Sequence, residues 1–161
     1  MIARISWLRL AGVMAVLVIF AILQRSPELS WFGVRPNIIL SLMVVLGFVV
    51  GDFFVYAALA FIAVALIGPA KGFSFEELIL LLLFFGLYFV RRYVPMYPLF
   101  SAVLLTSGGT LLWYLIVDPG FIAADFIAVL IEMFYNAVIA VLAYLGFERA
   151  FPHGKTSLVA F

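Results

Sequence analysis

Long apolar runs constrain this chain more than any other feature. Stretches near Leu8–Leu23, Pro36–Gly68, Phe75–Val90, Leu99–Val117 and from Phe121 or Asp125 to Phe147 follow one another with little between them. Several approach or reach the roughly 20 residues that a helix needs to cross a bilayer core of about 30 Å. Only 11% of residues are charged and 68% are hydrophobic, with mean hydropathy +1.33. A water-soluble domain carries about 25% charged residues. The expectation is an all-α, polytopic integral membrane protein forming one transmembrane domain over residues 1–161. No intervening stretch is long enough to fold alone, since small soluble domains begin at roughly 50 residues.

Local punctuation places the helices. Arg4 and Arg9 precede the first apolar run, and Gln24-Arg25-Ser26-Pro27-Glu28 follows it without a small-x-small cleavage pattern, so it reads as an uncleaved first span. The connector to Arg35 carries Trp31 and Phe32, which suit a membrane–water interface. Pro36 opens the second helix, where a missing N–H costs nothing. As one helix, Pro36–Gly68 would be roughly 50 Å long. Two short helices joined at Gly51-Asp52 fit the bilayer better: about Pro36–Val50 and Phe53–Ile67, stopped by Gly68-Pro69.

After a loop with Lys71 and Gly72, Ser74 and Glu77 form a capping-box pattern that starts a helix at Phe75. Glu76 and Glu77 suit the positive end of its dipole. Arg91-Arg92, Pro95 and Pro98 end it, and Asp118-Pro119-Gly120 ends the next. The total is six transmembrane helices in one bundle.

Charge orients them. With the N-terminus inside, Arg4, Arg9, Arg91, Arg92, Arg149 and Lys155 are cytoplasmic, and Arg25, Arg35 and Lys71 lie opposite: six against three. Five spans with the N-terminus outside score the same, so length favours six where charge does not decide. Either way the C-terminus is cytoplasmic, in a bacterial-type inner membrane by the resemblance given below.

Composition also excludes chemistry. Without Cys there is no thiolate catalysis, disulfide or Cys-based zinc site, and the one His, His153, lies in the tail. No nucleophile–base set, phosphate-binding glycine loop or metal-ligand cluster is present, and the net charge of +1 offers nucleic acid no general attraction. The expectation is a protein that is not an enzyme and holds no cofactor or metal.

The polar residues left at membrane depth therefore carry the functional question. Asp125, Glu132 and Asn136 are spaced seven and four apart and share one helix face. Glu132 and Asn136 read either as internal polar packing, with a buried protonated carboxyl, or as a site for a ligand, proton or cation. Asp125 reads alternatively as a helix cap, and Asp52 as a turn residue. Gly47 and Gly51 form a GxxxG pair, with weaker matches at Ala11/Ala15 and Ala124/Ala128. Gly108 and Gly109, in Ser107-Gly-Gly-Thr110, point to a tight helix crossing or a kink. Arg91 and Arg92 would form a cytoplasmic basic patch for docking or lipid headgroups.

Several short segments together resemble the MreD family of rod shape-determining membrane proteins. Arg35-Pro36-Asn37 opens the run Ile38-Ile39-Leu40, similar to that family's entry to its second helix. A glycine-containing loop leads into Glu77-Leu-Ile-Leu-Leu-Leu82 and then Arg91-Arg92, and Phe134-Tyr135-Asn136-Ala137 lies in the last helix. The chain departs in Ala60–Leu66, which lacks an Asp that the family often carries there. The resemblance implies a non-enzymatic scaffold of the cell-elongation, peptidoglycan-synthesis machinery, partnered by membrane lipids and an MreC-like coiled-coil protein. That family also resembles the substrate-binding S component of vitamin transporters, which leaves a small-molecule-binding membrane subunit as the alternative.

Overall fold

A computed structural model describes residues 7–26, 29–30, 33–68, 74–94 and 96–150. Expectations placed on Arg4, Pro27, Glu28, Trp31, Phe32, Pro69, Lys71, Gly72, Pro95, His153 and Lys155 lie outside the described residues, as does the side chain of Arg9. The elements of the described chain are helices: α1 (Trp7–Arg25), α2 (Ile38–Val49), α3 (Phe53–Ile67), α4 (Phe75–Val90), α5 (Pro98–Val117), α6 (Pro119–Ala124) and α7 (Phe126–Ala150). A 3-10 turn, Arg91–Tyr93, extends α4, and no strand occurs among the described residues.

Helices α5 and α7, of 20 and 25 residues, are long and apolar enough to cross a membrane. Leu10–Arg25, Ile38–Val49 and Phe53–Ile67 are apolar but shorter.

The short helix α2 is the axis of the fold. It touches α1, α3, α4, α5 and α7, while α1, α3, α4, α5 and α7 follow one another around it. Every residue from Ile38 to Gly47 is buried. That matches its sequence, since a helix apolar on all sides has no face to give to water.

Hydrogen bonds at the two ends show that α1 and α3 run one way and α2 and α4 the other. At one end Gln24 Oε1 accepts from the Ile39 N–H at 2.8 Å, and Arg25 donates to the Gly68 carbonyl at 3.0 Å. At the other end the Tyr88 hydroxyl donates to the Gly51 carbonyl at 2.6 Å.

Helix boundaries follow local chemistry. Asp52 caps α3 by accepting from the Val55 N–H at 3.0 Å, so Gly51-Asp52 separates two helices, and a single helix over Pro36–Gly68 is ruled out. Ser74 and Glu77 form the reciprocal capping box of α4. The last long helix starts at the later of its two expected points, after Asp125. Asp118 caps α6, a six-residue helix, and at Asp125 the backbone leaves helical geometry (φ −145°, ψ 68°) before α7 begins.

The glycines divide by what surrounds them. Gly109 is buried where α5 meets α2 and α4; a β-carbon there would sit 3.0 Å from Leu87 Cδ1 and 3.6 Å from Leu40 Cδ1. Gly108, next to it, faces open space. Gly109→Ala should therefore cost about 1 kcal/mol through crowding. Gly108→Ala should be neutral or stabilising by up to about 1 kcal/mol, because alanine is the better helix former. Thermal unfolding of both variants in detergent checks this, and equal effects would remove the packing argument.

Candidate functional site

Polar side chains gather where α5 and α7 meet the start of α2. Helix α7 supplies Glu132 and Asn136, one turn apart, and α5 supplies Thr106, Thr110 and Tyr114 at the same spacing. Ser41 comes from α2. A four-residue step on facing helices keeps successive side chains in register, so polar groups on α5 meet polar groups on α7 turn by turn.

The Tyr114 hydroxyl donates to Glu132 Oε2 in a short hydrogen bond. Asn136 Nδ2 donates to Thr110 Oγ1 at 2.9 Å and to Glu132 Oε1 at 3.4 Å. Thr110 donates onward to the Thr106 carbonyl at 2.9 Å, and Ser41 Oγ donates to the Asn136 carbonyl at 3.0 Å. Glu132 is 6% exposed and Asn136 is fully buried.

Glu132 also sits at the positive end of a helix. The backbone N–H of Asn37, which caps α2, faces the carboxyl group. Unpaired N–H groups and the aligned peptide dipoles favour negative charge at such a position.

The opposite end of α2 carries the complementary group. Arg91 folds back so that its guanidinium lies 3.9 Å from the centre of the Tyr88 ring, and Nη1 reaches the Val50 carbonyl at 3.5 Å. A cation at a helix C-terminus offsets the exposed carbonyls. The buried axial helix, about 18 Å long, thus has a carboxyl at its start and a guanidinium at its end.

The expected site residues are distributed unevenly. Glu132 and Asn136 are brought together. Asp125 is exposed, and its carboxylate caps α7 by accepting from the Ala128 N–H at 3.0 Å, so it stands outside the network. The spacing argument placed it on the shared face only if the helix ran unbroken through it. Arg91 and Arg92 do not form one patch: Arg91 is half-buried over Tyr88, and Arg92 is exposed. Gly47 lies beside Tyr56 and Arg91, whose side-chain atoms would stand 3.8 Å from its added β-carbon, rather than against another helix backbone. Gly51 serves by its carbonyl, as acceptor for Tyr88.

Tyr114, Thr110 and Ser41 were missed as partners. The signal available was the four-residue spacing of Thr106, Thr110 and Tyr114 along an otherwise apolar helix.

Helix α6 covers the network from outside: the Phe121 ring stacks on Tyr114, 5.3 Å between centres. Elsewhere, an apolar groove of about 500 Å³ runs between α1 and α7, lined by Gly12, Val16, Phe20, Ile139, Leu142 and Gly146 among others. No group of three His, Cys, Asp or Glu side chains positioned for a metal ion occurs among the described residues. The arrangement ties α2, α5 and α7 together through hydrogen bonds.

Comparison with protein-family models gives no match, and neither curated proteins nor solved structures yield one.

Proposed function

We propose that the chain is a multi-pass membrane scaffold, six-spanning with both ends cytoplasmic, that works by holding partner proteins in a cell-shape and wall-synthesis assembly of the MreD type. It is not an enzyme in this reading. The observation that carries the scaffold reading is that the Glu132 carboxyl is engaged by the chain itself. Both carboxyl oxygens of Glu132 already accept hydrogen bonds from the chain's own Tyr114 and Asn136, so its intramembrane polarity is directed inward.

The outer surface supports a lipid setting. Ile22, Phe61, Leu82, Leu104, Ile127 and Leu142, from all the outer helices, are large, apolar and exposed. Soluble monomers seldom show a contiguous apolar patch beyond a few hundred Å². Tyr93 and Tyr97, 83% and 80% exposed beside Arg92, suit the headgroup level at the cytoplasmic end.

Co-expression with an MreC-type coiled-coil protein, followed by purification in mild detergent, tests the role. The two are expected to purify together. Recovery with a bound vitamin-like molecule or with energising ATPase subunits would instead establish the transporter-subunit alternative.

Topology has its own test, simplified by the absence of native cysteine. In intact cells, Arg35→Cys is expected to react with a membrane-impermeant maleimide, whereas Arg92→Cys reacts only after permeabilisation. The reverse pattern would overturn the six-span orientation.

A further inference from the structure

Two fully buried polar atoms in the α5–α7 contact have no partner among the described residues: Asn136 Oδ1 and Thr106 Oγ1. Their neighbours show that this is specific. Asn136 uses its amide nitrogen twice, toward Thr110 and Glu132, which turns the amide oxygen away from both. Thr110 bonds back to the carbonyl one turn earlier, the usual arrangement for a helical hydroxyl. Thr106 does not, although Ala102 precedes it by the same step.

Buried polar groups in folded proteins are almost always hydrogen-bonded. An amide oxygen needs a donor, while a threonine hydroxyl can both give and accept. The flanking side chains are small: Ala102 lies one turn before Thr106 and Ala140 one turn after Asn136, and both are fully buried.

We infer that a single water molecule is bound between α5 and α7, donating to Asn136 Oδ1 and accepting from the Thr106 hydroxyl. Water has the donor and the acceptor that this pair requires in one small body, and buried waters typically make two to four such bonds. It extends the network beyond Asn136, linking Thr106 to Asn136 and, through the Asn136 carbonyl, to Ser41 of α2. This inference is independent of the proposed scaffold role.

The test uses the full chain in detergent micelles. Thr106→Val keeps the shape and removes the hydroxyl; its melting temperature is expected to fall by about 2 to 4 °C, while Thr106→Ser stays close to the original. A valine variant as stable as the parent, or more so, would mean that the hydroxyl has no partner and would overturn the site. A long-lived water should give a nuclear Overhauser contact to the Asn136 side-chain amide protons in the unaltered protein, so the inference stays testable even if the variant does not fold. Absence of that contact would overturn it. So would greater stability in sodium than in N-methylglucamine at equal ionic strength, which would assign a cation instead.

Discussion

Replacing Glu132 with leucine should lower the melting temperature in detergent by about 5 to 10 °C, whereas glutamine should lower it by less than half as much. Leucine leaves the Tyr114 hydroxyl without its acceptor, strips Asn136 of one bond and removes the group facing the Asn37 N–H. Hydrogen bonds to a charged partner contribute about 1.5 to 3 kcal/mol in soluble proteins. Within membranes the average is nearer 0.6 and the maximum about 1.7. Two or three lost contacts then sum to about 2 to 3 kcal/mol, which for a chain of this size is the stated shift. Glutamine retains an oxygen for Asn136 and an amide that can donate to Tyr114. If leucine were tolerated as well as glutamine, the network would not be what fixes α5 and α7 on α2. If glutamine stayed folded yet abolished the cellular role, Glu132 would act through a proton or ligand and the scaffold reading would fall.

How far the sequence revealed this site depends on whether the relevant information was local. Gly51-Asp52 divides Pro36–Gly68 because a glycine followed by a capping carboxylate acts within three residues, and both signals are visible in the chain. The Ser74–Glu77 box is equally local. The Glu132–Asn136 pair follows from helix spacing alone. Asp125 shows where such spacing misleads: helical periodicity assumes continuous backbone, and the chain turns at Asp125 before α7 starts. Thr110 and Tyr114 escaped notice because a threonine or tyrosine in an apolar helix is commonplace; only the facing helix gives them a role. That α2 is the axis was legible only in part. Its apolarity on all sides marks a buried helix, but which helices surround it is decided by packing.

Arg91 was the residue whose fate depended most on tertiary structure, and it separates from Arg92 in an expected experiment. Arg91→Ala should destabilise the protein by about 2 kcal/mol, combining a partly buried helix-terminus charge with a desolvated cation–ring contact. The corresponding fall in melting temperature is about 4 to 8 °C. Its effect on binding of anionic lipid should be small, within about twofold, because the guanidinium already engages Tyr88 and the Val50 carbonyl. Arg92→Ala should do the opposite. Its side chain is exposed beside Tyr93 and Tyr97, so stability should change by less than about 0.5 kcal/mol. Phosphatidylglycerol affinity, measured by native mass spectrometry of lipid adducts, should drop about fivefold, the equivalent of about 1 kcal/mol per basic group near an anionic surface. Equal loss of lipid from both variants would mean that Arg91 swings outward in the membrane. The guanidinium would then not be the charge that closes the C-terminal end of α2, and the balance drawn between it and Glu132 across that helix would fail.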